Sequence, residues 1–302
     1  MTPSPRPSWR RVANAALLAL FRALAAGLRA LGPVRASNLG GGVARTLGPL
    51  LPVSRVGASN LRQALPDLSG AEHRRILRAV WDNLGRTIAE LPHVPTLNPS
   101  QVGPGYTLAI APPAQAILDG DQGAVFFTGH LANWEMLVRG ARDAVPRFGL
   151  FYRAPRNPAA DQLALALRQQ AGGPGLRQFP KGAAGARASL THLRHGGRLG
   201  ILADQKLNDG IPAAFFGRAA MTSPAVATLA LKFSLPVLPT RVMRLGPARF
   251  AIEIEAPLEF RPGGNRHADI AALTTRVNQK LETWIRERPG EWLWLHRRWP
   301  KA

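Results

Sequence analysis

The chain has no cysteine in its 302 residues. That absence excludes disulfides, cysteine-ligated zinc and thiol catalysis, while leaving the redox compartment open. Acidic residues are scarce. Asp and Glu number 18 against 39 Lys and Arg, for a formal charge of +21. Lysine is scarce too, being confined to Lys181, Lys206, Lys232, Lys280 and Lys301, so arginine carries the charge. GC-rich coding accounts for a high Arg-to-Lys ratio but not for so few acids. A charge this large implies an anionic partner, whether nucleic acid, anionic lipid or an acidic protein, and arginine suits bidentate contacts to phosphate. Several motifs are also absent. There is no Gly-x-Ser-x-Gly elbow, no phosphate loop and no His-Glu-x-x-His. Gly172-Gly173-Pro174-Gly175 reads as a turn, and His192 and His195, at i and i+3, lack an acidic partner for a metal and read as surface residues. No metal or cofactor is expected.

What is present is ample core material: 46% of residues are hydrophobic and only 19% charged, which argues against bulk disorder. The length fits one large domain or two modest ones. After the basic start Arg6, Arg10 and Arg11, Val12–Phe21 carries no charge, a run too short to span a bilayer. At about 100° per residue, Arg11, Arg22 and Arg29 fall within roughly 20° of one line on a helix. Leu17, Leu18, Leu20, Phe21, Leu24 and Leu28 fill much of the rest. This is the pattern of an amphipathic helix lying in a membrane interface. A cleaved signal peptide and a soluble surface helix share parts of it.

Gly32-Pro33 ends that helix, and Gly40-Gly41-Gly42 suggests a second break. Ala71–Leu91 has Ile76, Val80, Leu84 and Ile88 at a spacing of four, with Ser69 placed to cap. Pro92 and Pro95 stop it. Residues 96–122 are turn-rich, with a helix near Ala111–Leu118. Strands are expected at Ala124–Thr128, Phe148–Tyr152, Leu199–Ala203, Val237–Val242 and Phe250–Glu255. Helices are expected from just after His130 to near Ala141, then over Asp161–Gln170, Ala184–His195, Thr222–Phe233 and Ile270–Arg288. The alternation over 124–242 predicts an α/β class, a single-domain, largely parallel sheet flanked by helices. The simplest organisation is an N-terminal membrane-anchoring helix within residues 1–40 and one catalytic domain over 41–302.

The chemistry centres on Gly129-His130-Leu131-Ala132-Asn133-Trp134-Glu135. A strand end followed by a histidine and then a carboxylate suits general-base work on a hydroxyl. Five residues subtend about 140° on a helix, so His130 and Glu135 would not share a face. They meet only if His130 sits in the turn before the helix, a bend that Gly129 permits. Open α/β sheets place their sites at such strand ends. In this reading His130 takes the proton and Glu135 fixes its tautomer. The alternative is a solvated helix start with no chemistry, and the spacing alone does not exclude it. Arg153, after a strand, suits phosphate or oxyanion binding. Asp204 and Gln205 end another strand and suit substrate hydroxyls or Arg153, with turn capping open for Asp204.

The segment resembles the Gly-His-x-x-Asn-Trp-Glu signature of the bacterial lipid A biosynthesis (lauroyl/myristoyl) acyltransferase family, within the His-x4-acid glycerolipid acyltransferases. Phe151-Tyr152-Arg153 with Asn157 resembles the family's Tyr-Arg…Asn segment. Leu202-Ala203-Asp204-Gln205, Phe215-Phe216-Gly217 and Thr222 resemble its Asp-Gln…Phe-Phe-Gly…Thr run. Glu291–Trp299 resembles its terminal Trp…His-Arg-Arg signature. The likeness covers roughly residues 45–300. Leu131-Ala132 departs from the common Phe-Gly, and the stretch between Gln205 and Phe215 is short and divergent. The aromatic tail reads either as an interfacial patch or as core packing of Trp284, Trp292 and Trp294.

The resemblance implies a membrane-bound O-acyltransferase. Its donor would be an acyl thioester on acyl carrier protein or coenzyme A, and its acceptor a hydroxyl on a phosphorylated glycolipid, a lipid A precursor. His130 and Glu135 would be catalytic, and Asn133, Arg153, Asn157, Asp204 and Gln205 would bind substrate. The place of action would be the cytoplasmic face of the inner membrane. Transfer to another glycolipid or phospholipid, such as a phosphatidylinositol mannoside, is a second reading. A basic nucleic-acid-binding protein is a third, against which stand the spread of the arginines and the lack of a helix-turn-helix or RNA-recognition signature.

Overall fold

A computed structural model describes residues 8–152 and 157–300. Among these, a seven-stranded sheet runs in the order β1-β9-β8-β2-β5-β3-β4. Its strands are β1 (Gly105–Ile110), β2 (Ala124–Thr128), β3 (Phe148–Tyr152), β4 (Arg177–Pro180), β5 (Arg198–Leu202), β8 (Val237–Gly246) and β9 (Arg249–Ile254). β8, β2, β5, β3 and β4 are parallel, whereas β9 runs antiparallel to β8 and carries β1 parallel beside it. Between β5 and β8 lies a separate antiparallel hairpin, β6 (Lys206–Phe215) and β7 (Arg218–Thr222). The class matches the α/β expectation. The strands β1, β4, β6 and β7 are additional to those read from the sequence.

β2 is buried at every position, as an apolar strand covered on both faces must be. Val125 and Phe127 face one core, shared with α3 (Ser54–Ala64), α4 (Gly70–Glu90), α9 (Ala225–Phe233), α10 (Arg266–Glu287) and Trp292, Trp294 and Trp299. Ala124 and Phe126 face the other, under α5 (Pro112–Asp119) and α6 (Met136–Ala144). Trp284, Trp292 and Trp294 are all buried, so the aromatic tail is core. The remaining strand connections are α7 (Pro158–Gly172) and α8 (Ala183–Arg194). Within α8, His192 is half-buried against Phe179, so the surface reading of that histidine is corrected.

The N-terminal region forms α1 (Ser8–Leu31) and α2 (Pro33–Leu47). The expected break at Gly40–Gly42 does not occur. Gly40, with Gly85 of α4, lets α2 cross α4 with backbones in near contact. A Cβ on Gly40 would sit 2.4 Å from the Gly85 carbonyl oxygen, and one on Gly85 would sit 2.2 Å from that of Gly40. α4 begins with the expected cap as a full capping box, in which Ser69 and Glu72 exchange bonds. Val12–Leu31, a stretch of 20 residues, is long and apolar enough to cross a membrane by length and composition. Its C-terminal end is tied to the body: Arg29 Nε donates to the Pro92 carbonyl at 3.1 Å, and His93 Nε2 bonds the Leu28 carbonyl at 3.0 Å.

Candidate active site

The parallel strands β2 and β5 end side by side, and the Ala203 N–H donates to the Thr128 carbonyl at 2.9 Å. The chain after each strand therefore enters one crevice, at the strands' carboxyl ends. From β2 comes Gly129-His130, and from β5 comes Asp204-Gln205. Gly129 packs between Leu281 and Asp204, where a Cβ would meet them at 3.2 and 3.4 Å. Asp204, 1% exposed, accepts from His130 twice, from ring Nδ1 at 2.8 Å and backbone N at 2.9 Å. Trp292 Nε1 donates to the same carboxylate at 2.7 Å. Burial would raise the Asp204 pKa, but the His130 charge, the bonds from His130 and the Trp292 N–H outweigh it. They hold Asp204 far below the ordinary carboxylate range.

The His130 ring is thus oriented by Asp204 rather than by Glu135, which corrects the tautomer-fixing role expected for Glu135. The physical reason lies in the intervening loop. Ala132 adopts φ 45°, which stops α6 from starting until Met136. Its carbonyl accepts from Asn83 Nδ2 at 3.1 Å and Thr87 Oγ1 at 3.0 Å, both on α4. Glu135 is engaged elsewhere. Arg168 of α7 grips it in a fork, Nε to Oε2 at 2.8 Å and Nη2 to Oε1 at 2.6 Å. Burial alone would lower the Arg168 pKa, but Glu135 more than reverses it and raises it above the usual value.

Two other expected substrate contacts are occupied structurally. Asn133 is fully buried and donates through Nδ2 to Glu90 at 3.0 Å. Glu90, itself fully buried, also accepts from Ser37, Arg244 and the Ala248 N–H, so Asn133 braces the loop. Asn157 caps α7, accepting from the N–H groups of Ala159 and Ala160. Arg153 lies outside the described residues. Gln205 does reach the site: its Nε2 is 3.2 Å from His130 Nε2 and 2.9 Å from His296 Nε2.

Sequence reasoning missed Arg168, Trp292 and His296. Arg168 directly follows the uncharged run Leu163–Leu167, a weak signal. Trp292 and His296 stood in the terminal signature, yet nothing in their spacing said that the tail lies on the His130 loop. It does so by strand-like pairing: Ala132 N–H donates to the Glu291 carbonyl at 2.9 Å, and Leu293 N–H to the His130 carbonyl at 3.1 Å.

Beside Trp134, the neighbour of the His130 ring, opens an apolar cleft running between the sheet and α6. Trp134, Glu135, Tyr152 and Arg168 stand among its lining residues, with Phe126, Ala141, Val145 and Phe148 toward the strands' amino ends. Trp134 packs edge-on to the His130 ring at 4.9 Å.

The profile of the family described as bacterial lipid A biosynthesis acyltransferase matches residues 7–301. The chain belongs to that family. It is accordingly an enzyme that transfers acyl groups. Among solved structures, this lipid A acyltransferase family member is similar to the 1-acyl-sn-glycerophosphate (LPA) acyltransferase PlsC from Thermotoga maritima. Identity is 11%, coverage is 79% of this chain and 98% of that one, and the TM-score is 0.34. No curated protein matches the sequence.

Proposed function

We propose that this enzyme moves a fatty acyl chain from the thioester of acyl carrier protein to a hydroxyl of a lipid A precursor, with His130 as general base. The observation that carries the reading is the orientation of one ring. Asp204 accepts at Nδ1, so the neutral imidazole keeps its proton there and presents the Nε2 lone pair to the crevice. The acceptor O–H donates to Nε2, the oxygen attacks the thioester carbonyl, and the imidazolium formed is stabilised by buried Asp204. The tetrahedral intermediate collapses, and the leaving thiolate takes the proton back from Nε2. The apolar cleft under α6 suits the acyl chain, since each buried methylene contributes about 0.8 kcal/mol. Arg168, at its polar end, gives Nε and Nη2 to Glu135 and keeps Nη1 outside that fork, which suits the thioester's polar portion.

The +21 charge suits both an anionic glycolipid and an acidic carrier protein. Helix α1, within an anchoring segment of residues 1–40, would hold the transferase body of 41–302 at the cytoplasmic face of the inner membrane.

The test is transfer of a labelled dodecanoyl group from carrier protein to a lipid A precursor by the purified full-length enzyme, with mass analysis of the product. Folded His130→Ala should lose nearly all activity, and full activity in it would overturn the base assignment. Transfer only from acyl-CoA, or only to another phospholipid or glycolipid, would replace the donor or acceptor named here.

A further inference from the structure

Gln205 is the link between two imidazoles. Its carboxamide nitrogen stands 3.2 Å from His130 Nε2 and 2.9 Å from His296 Nε2. The amide group has two N–H bonds on that nitrogen, one for each ring. With Nδ1 protonated toward Asp204, His130 Nε2 can only accept, so the NH2 side of the amide must face it. His296 must accept as well, which requires it to be neutral. Burial, and then the neighbouring His130 charge, push the His296 pKa down, with Asp204 opposing.

His296 is held firmly. Its backbone carbonyl accepts from Asn60 Nδ2 of α3, and the same amide donates to the Trp294 carbonyl at 2.7 Å. Two residues on, buried Arg298 spans the Phe215 ring at 4.7 Å and donates to Thr222 Oγ1 at 2.7 Å. The tail around His296 is therefore tied on both sides, whereas Gln205 is the first residue after the buried Asp204 and is partly exposed.

In the structure the Gln205 N–H occupies the lone pair that a base must use. An acceptor hydroxyl has to displace it. The second N–H bond, to His296, survives that displacement and keeps the amide beside the reacting atoms. The freed N–H is then left a few ångströms from His130 Nε2. The acceptor oxygen held at Nε2 bonds to the thioester carbon, so the carbonyl oxygen is two bonds from it during attack and comes within reach of that N–H. A donor there strengthens as that oxygen gains charge. A donor to the attacking oxygen would instead hold back the nucleophile.

We propose that Gln205 donates an N–H to the developing oxyanion and that His296 is the positioning residue that aims it. This inference rests on His130 being the base in the reading above. No bond is made or broken at Gln205 or His296.

The test uses the full-length enzyme with dodecanoyl-carrier protein and a lipid A precursor. Gln205→Leu should lower kcat about 10²–10³-fold, the range for loss of one oxyanion donor. His296→Leu should lower it roughly 10–10²-fold, with KM for either substrate within about twofold. His296→Gln, which restores an acceptor at a similar reach, should recover kcat to within about fivefold. The Gln205→Leu/His296→Leu pair should be no worse than Gln205→Leu, as residues acting as one unit require. Should His296→Leu fail to fold, His296→Phe keeps a ring without the acceptor nitrogen and repeats the comparison.

Full kcat in His296→Leu or His296→Phe, no rescue by His296→Gln, or a double variant that loses the product of the two single effects would each overturn the inference. Folded His130→Ala serves as the control. If it is inactive while His296→Leu is fully active, the inference alone fails. If His130→Ala is active, the base assignment fails first.

Discussion

Asp204 accepts two hydrogen bonds from one residue, His130, at ring Nδ1 and at backbone N, 2.8 and 2.9 Å long. The first sets the tautomer and the second sets the direction of the loop. Asp204→Asn keeps the shape but can turn an N–H toward Nδ1, which places the ring proton on Nε2 and removes the base. Expected is a fall in kcat of about 10³–10⁴-fold with KM little changed, measured by steady-state transfer on protein shown to be folded. A loss under tenfold would mean that Asp204 does not control the tautomer.

Glu135 works with Arg168 through a bidentate pair, both side chains being mostly buried at 13% and 18% exposed. Removing either leaves the other charge without its partner, and such breaks cost several kcal/mol. Glu135→Gln and Arg168→Met should therefore lose activity alike. The double variant should be no worse than the poorer single, with a coupling of about 1–3 kcal/mol in kcat/KM. Independent, multiplying losses would restore a separate role for Glu135.

Chain-length choice should follow the cleft under α6. Ala141 lines it near the amino ends of the parallel strands. Ala141→Phe should move the preferred donor to a shorter acyl chain, losing roughly fourfold in kcat/KM per excluded methylene, from about 0.8 kcal/mol each. Competition among acyl thioesters of increasing length reads this out. An unchanged preference would place the chain elsewhere.

Ala132 sits at φ 45° and is fully buried. A β-branched side chain is strongly disfavoured there. Ala132→Val should destabilise by about 2–4 kcal/mol in urea unfolding, combining backbone strain and overpacking. Ala132→Gly should stay within about 1 kcal/mol of the parent, because relief of strain offsets the lost methyl. Equal effects of the two would show that the backbone conformation is not the constraint.

His93, His192 and His296 all have pKa values lowered from the ordinary 6.5, in each case chiefly by burial. The unfolded chain therefore takes up these protons first as pH falls below about 6.5, and the folded chain only lower down. Stability should drop with acidification through that window. Asp204 adds no slope there, being ionised in both states. Urea midpoints at pH 7.5, 6.5 and 5.5 should decline in order, and His93→Gln should flatten the trend. A midpoint that rises on acidification would contradict the burial of these rings.

The strands most easily read were β2 and β3, whose apolar runs coincide with Ala124–Thr128 and Phe148–Tyr152. β2 is buried at every position, and the half-buried β3 lines the apolar cleft, so both strands require apolar residues. β4 is a four-residue edge strand, and β6 carries Asn208, Asp209, Gly210 and Pro212. Exposed or edge strands need no apolar pattern, so nothing in those residues announced them. Gly40–Gly42 read as a break because glycine is a poor helix former. A helix crossing at backbone contact reverses that preference, and the partner Gly85 lies 45 positions away from Gly40.

Local sequence determined a good deal by itself: the α/β alternation, the N-terminal apolar helix, the Ser69 cap, and the placing of His130 and Asp204 at strand ends. Those features follow from periodicity, propensity and capping, which act over a few residues. Only the tertiary structure decided which carboxylate holds His130. Glu135 is five residues from it in sequence, yet the turn at Ala132 and the grip of Arg168 hold Glu135 in another contact. Asp204 is 74 residues away and arrives because β2 and β5 are neighbours in one parallel sheet. The order of strands in a sheet is set by packing over the whole chain, and no short stretch of sequence encodes it.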